Sequence, residues 1–113
     1  MPGTLPLESV RQATANGAGV AVVNFPAVGP WHQWEVRRLS VTSTSAARTS
    51  AAVYRNSVNA ANQLDTAPFS GNDDTSDTVI GLQAGESLVV AWAGATVGAR
   101  CTCSISGTDT DRG

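Results

Sequence analysis

The only histidine of the chain, His32, stands three residues before Glu35 in the stretch WHQWEVRR, residues 31 to 38, with Trp31, Trp34, Arg37 and Arg38. A histidine and a carboxylate supply general acid–base catalysis when they converge in a pocket. A nucleophilic triad needs a positioned Ser or Cys as well, and the strand-to-helix nucleophile elbow G-x-S-x-G does not occur. Glycoside hydrolysis needs two convergent carboxylates, and the carboxylates here are scattered. The residues therefore predict a protein that is not an enzyme, with no catalytic residue and no cofactor. His32 is expected to be a structural residue at the mouth of a strand.

Two further groups have metal-ligand chemistry. Cys101 and Cys103 form a C-x-C pair. On a strand both thiols face the same side roughly 6.5 to 7 Å apart, at or beyond the reach of a disulfide. One histidine and two cysteines are too few for a structural zinc site, so both thiols are expected to be reduced and buried. The stretch GNDDTSD, residues 71 to 77, offers Asn72, Asp73, Asp74 and Asp77 as oxygen ligands for calcium, but it lacks the EF-hand spacing and its closing glutamate. A solvated turn is the expectation there, with calcium binding left open. The exposed arginines Arg37, Arg38, Arg48 and Arg55 are candidates to pair with these carboxylates across a subunit boundary.

The elements that position these residues follow from alternation. With 113 residues the chain has the size of one domain. Nowhere do apolar residues recur at helical spacing over a helical length. Six segments read as strands bounded by Gly, Pro, Asn or Asp: Gly19 to Phe25, Trp34 to Thr44, Ser50 to Asn56, Asp77 to Leu82, Ser87 to Ala93 and Val97 to Gly107. That count predicts an all-β chain, a single small antiparallel β-sandwich of jelly-roll or Ig-like type, with an extended N-terminal arm. In the strand at 34 to 44, Trp34 and Val36 share one face while Leu39 and Val41 fall in the opposite phase, so a bulge is expected near Arg37 and Arg38. In the last two strands, Leu88, Val90 and Trp92 share one face, as do Cys101, Cys103 and Ile105. A hairpin over Gly94 to Thr96 is expected to join them. The predicted core is Trp34, Val36, Leu88, Val90, Trp92, Cys101, Cys103 and Ile105, with Val41 and Val53.

Charge and hydropathy bound the partners. A net charge of −2 creates no strong field, so neither nucleic acid nor an anionic membrane is expected. All seven basic residues are arginine. No apolar run approaches the roughly 20 residues that span a bilayer, and MPGTLPLESVRQ lacks the basic head and apolar core of a signal peptide. Synthesis in the cytoplasm is the expectation, with export only as part of an assembly.

The order of a W-x-V strand (Trp34, Val36), AAVYRN (Ala51 to Asn56), LDTAPFSGNDDTSD (Leu64 to Asp77), LQAGESLVVAWAGATVGA (Leu82 to Ala99) and SGT (Ser106 to Thr108) resembles small β-sandwich proteins from the structural gene clusters of tailed actinobacterial phages. The likeness covers residues 20 to 108. It implies a non-enzymatic virion component, a minor tail or capsid decoration protein, that assembles as a symmetric oligomer with itself and with other virion proteins. The alternative is a carbohydrate-binding module, with Trp31 and Tyr54 stacking on a sugar ring.

The chain divides accordingly into an extended arm at 1–19, a sandwich at 20–108 and a flexible tail at 109–113. Leu5 and Leu7 are the anchors by which the arm would reach a second protein. Val89, Ala91, Ala93, Ala52 and Tyr54 remain on faces opposite the core, an apolar patch that a neighbouring copy would cover. A homo-oligomer, most simply a trimer, is expected, with Tyr54 and Ala91 near the contact and Arg37 and Arg38 as further interface residues.

Overall fold

The computed structural model describes residues 3–65, 72–77 and 79–111. Among them the chain forms nine strands and one short 3-10 turn at Ala60–Asn62: β1 Gly3–Thr14, β2 Ala21–Asn24, β3 His32–Ser43, β4 Ser50–Arg55, β5 Gln63–Asp65, β6 Asp73–Ser76, β7 Ile80–Leu82, β8 Leu88–Ala93 and β9 Arg100–Asp111. All the pairings are antiparallel. Sheet A runs β1-β9-β3-β6, with β7 also on β3, and sheet B runs β2-β8-β4-β5. The protein is an all-β sandwich.

Alternation explains which sheet faces meet. In β2, Ala21 and Val23 are buried while Val22 and Asn24 are exposed; in β9, Cys101, Cys103 and Ile105 are buried between half-exposed Thr102, Ser104 and Ser106. The inward residues of both sheets fill one core in which Val36, Val41, Val53, Leu82, Leu88, Val90, Trp92, Cys101 and Cys103 are fully buried. Trp34 is half-buried and packs against that core. Fully burying a Val or Leu side chain stabilises by about 1.5–3 kcal/mol, so these residues hold the two layers together.

The bulge lies where the phase change in β3 requires it. The register of β3 against β9 shifts between Val36 and Arg38, so Val36 and Leu39 both turn inward. Gly107 sits opposite Val36, and a Cβ there would collide with the Glu35 carbonyl. The close backbone approach at the bulge thus requires glycine.

Four expectations are corrected. First, β8 and β9 are not a hairpin: β8 pairs with β2 and β4 in sheet B, while β9 pairs with β1 and β3 in sheet A. Both strands carry an apolar face, and those faces meet across the core. Second, the stretch expected to be an arm is largely strand. Gly3–Thr14 pairs with β9 through twelve residues, from Gly3 opposite Asp111 to Thr14 opposite Arg100. As an edge strand it is held mainly by its backbone ladder and buries little beyond Leu7, which is why it lacks an apolar alternation. Third, β9 runs through Asp111, so residues 109 to 111 of the expected tail belong to sheet A. Fourth, Asp73–Ser76 of the acidic stretch is strand β6, paired with Leu39–Thr42; Gly71 lies outside the described residues.

With β1, β3 and β9 each twelve residues long, sheet A spans about 40 Å at ~3.4 Å per residue. The strands of sheet B have six residues or fewer. One end of the long sheet is consequently left uncovered. Leu7 is buried, whereas Leu5, in the same phase two residues earlier, is 67% exposed.

Candidate functional site

Two regions carry exposed apolar side chains, and each is built by a different element. The first is the outward face of sheet B. Val22, Ala91 and Ala52 form one row across β2, β8 and β4, and Ala93 and Ser50 form the next. Val20, Tyr54 and Val58 extend this surface, and Val20, Val22 and Val58 are exposed. Val20, Ser50, Ala52, Tyr54, Val58, Gln63, Ala91 and Ala93 line an open groove of about 410 Å³, with Val22 beside it on the same face. Val89, whose phase also points outward, is buried and lies outside the main core cluster. The pairing thus brings Tyr54 and Ala91 together in one groove. Val20, Val22 and Val58 were missed in the sequence reading, although GVAVVNF is apolar in both phases, the pattern of a strand with two faces to cover.

The remaining expected interface residues are elsewhere. Arg37 and Arg38 project from β3 at the bulge of sheet A, where Arg37 pairs with Glu35 at 2.6 Å and Arg38 with Asp77 at 3.4 Å. Both pairs lie within one chain. Exposed pairs of this kind contribute roughly 0–1 kcal/mol. Arg55 pairs with Glu86 at 3.4 Å and donates to the Gly81 carbonyl at 2.8 Å, tying β4 to the turn before β8 and to β7. Leu7 is a core residue of its own chain rather than an anchor for a second protein. Leu5 remains exposed.

The second region is the uncovered end of sheet A, where WHQW begins β3. Gly29, Pro30, Trp31 and His32 form a turn closed by the His32 N–H donating to the Gly29 carbonyl at 3.1 Å. Trp31 occupies its second central position with φ of 69° and is 71% exposed. Pro30 presets the position before it, but a left-handed φ favours Gly or Asn and costs a residue with a bulky side chain roughly 1–2 kcal/mol. Trp31 pays that strain without packing into its own core. Next to it, His32 Nδ1 lies 2.9 Å from Asp109 Oδ1. That hydrogen bond holds the imidazole pKa above its ordinary 6.5; partial burial opposes it, and the charges of Asp109 and Asp111 reinforce it.

A histidine oriented by a carboxylate is half of a catalytic arrangement. The two thiols, the most reactive nucleophile type in the chain, do not join it, because both are buried in the core. Burial pushes Cys103 up to about 12, which makes it a poor nucleophile. Among the described residues no group of three His, Cys, Asp or Glu side chains is placed to hold a metal ion. Asn72, in the stretch where calcium binding was left open, fastens the loop before β4: its Oδ1 accepts from the Thr49 N–H at 2.8 Å and its Nδ2 donates to the Ala47 carbonyl at 3.0 Å.

No protein-family model matches the chain, and a search of curated proteins finds no match. Among solved structures, a chain described as "CBM4 structure and function" aligns over 89% of this chain and 94% of its own length, at 13% identity and a TM-score of 0.35. A second, described as "Structure of a family two carbohydrate esterase from Cellvibrio japonicus", aligns over 97% of this chain and 35% of its own, at 17% identity and a TM-score of 0.29. Alignments this loose assign the chain neither a family nor a ligand.

Proposed function

We propose that the chain is a non-enzymatic virion structural protein, a minor tail or capsid decoration component, that works as a symmetric homo-oligomer. The observation that carries the assembly half of this reading is the outward face of sheet B. Val20, Val22, Ala52, Tyr54, Ala91 and Ala93 lie on it with no layer of the described residues above them. Water is a poor solvent for such a patch, and a second protein surface removes the cost. The virion half rests on the order of turns and strand ends described from the sequence.

A carbohydrate-binding module is the second reading, favoured by the exposure of Trp31. A sugar platform of the expected kind needs Trp31 and Tyr54 in one surface. Trp31 precedes β3 of sheet A, whereas Tyr54 lies on the outward face of sheet B, so the two rings belong to different layers.

Sedimentation at micromolar concentration, followed by co-sedimentation with purified phage capsids and tails, tests the proposal. Self-association together with capsid or tail binding is the expected result. A monomer of 11.6 kDa that binds neither particle and is retained on a glycan array would overturn it in favour of the second reading.

A further inference from the structure

The tip and the groove have complementary needs. Trp31 is a large apolar side chain held away from its own core by a turn whose φ favours glycine. The groove on sheet B is apolar, has a volume of about 410 Å³ and is open. An indole buries roughly 150–250 Å² when it docks, and tryptophan is the residue type most enriched among those that dominate binding energy at protein interfaces. We infer that Trp31 of one copy seats in the sheet B groove of the next, between Tyr54, Val58 and Ala91, so that copies join tip to groove rather than face to face.

Charge supports this pairing of unlike surfaces. Among the described residues the tip places Asp109 and Asp111 in the rows of β9 beside Leu5 and His32, two carboxylates against one imidazole. The groove ends at Ser50 and Ala93, and exposed Arg48 stands two residues before Ser50, its carbonyl close to Gly94. Arg48 makes no ion pair among the described residues. An acidic tip therefore approaches a groove with a cation at its rim, which favours this contact over tip against tip. Contacts between unlike surfaces generate a ring when the rotation closes and a filament when it does not; a ring of few copies agrees with a symmetric oligomer.

This inference rests on the assembly reading, and two variants separate the two. Trp31→Gly removes the knob and accepts the turn's φ, so the monomer keeps its fold. Ala91→Arg fills the groove and leaves the knob, with near-UV circular dichroism checking that the sandwich is intact. Each alone is expected to raise the concentration for half-association at least about tenfold. Mixed in equal amounts they retain one good knob and one good groove, and a species of twice the 11.6 kDa chain mass should appear in sedimentation. If Trp31→Gly keeps the wild-type oligomer, or the mixture stays monomeric, the tip-to-groove contact is wrong while self-association stands. If the wild-type chain is itself a monomer, the assembly reading fails and the contact with it.

Discussion

The two outward faces of the sandwich share a backbone geometry and differ in chemistry. On sheet A the outward rows are Val10, Ser104, Ser40 and Thr75, then Gln12, Thr102 and Thr42, with Thr4 and Thr110 further along. Hydroxyls meet across strands, Ser40 and Thr75 at 3.1 Å and Thr4 and Thr110 at 3.4 Å. Such a face is satisfied by its own hydroxyl pairs and by water. On sheet B the corresponding rows are mostly valine and alanine, with Tyr54 and Ser50, and the aliphatic groups gain nothing from solvent. The difference teaches where a partner would gain most: one face is satisfied as it stands, and the other carries the apolar surface on which the assembly proposal rests.

Removing what both faces rest on gives the largest effect. Trp92 is fully buried between the sheets, and Trp92→Ala should cost about 3–5 kcal/mol, read as a drop in the denaturation midpoint. A loss under 1 kcal/mol would mean that the layers are not held by this residue.

Breaking each face separately comes next. Ala91→Arg on sheet B and Ser104→Arg on sheet A place the same charge at comparable outward positions, and surface changes of this kind typically alter folding stability within about 0.5 kcal/mol. Self-association measured by sedimentation should weaken at least about tenfold for the first and stay unchanged for the second. Equal effects would erase the contrast between the faces.

A smaller effect sharpens the polar side. Ser40→Ala removes the hydroxyl pair with Thr75 and should cost roughly 0.2–1 kcal/mol in chemical denaturation, with no change in association. A gain in association would show that the hydroxyl row was keeping sheet A free of partners.

The last effect is at the tip, outside both faces. Because the folded-state pKa of His32 lies above 6.5, the stability from its bond to Asp109 is fully present below pH 6.5 and is lost as pH rises through the folded value. NMR titration should place the imidazole above 6.5, and Asp109→Asn should return it toward the ordinary value. A wild-type titration at or below 6.5 would contradict the bond.

Much of the framework is legible from short-range pattern. Alternation places Val36, Leu88, Val90, Trp92, Cys101, Cys103 and Ile105 in the core, and the phase change between Val36 and Leu39 locates the bulge. Period-two alternation says which side of a strand is apolar because successive side chains point to opposite faces. It is silent on which strand lies beside it. That is why β8 and β9 looked like a hairpin, and why an edge strand such as β1, held by backbone bonds with few buried side chains, left almost no trace in the sequence.

The sequence by itself therefore determined the all-β class, the inward residues and the need for an irregularity near Arg37 and Arg38, since each depends only on neighbours along the chain. Tertiary structure alone decided that β8 and β9 face each other across the core, that Leu7 is buried while Leu5 is not, and that His32 meets Asp109, 77 residues away. It also decided that Val22, Ala52 and Ala91, from three strands far apart in sequence, form one row beside Tyr54. Pairing between strands is set by the sum of many long-range contacts, and no local stretch contains that sum.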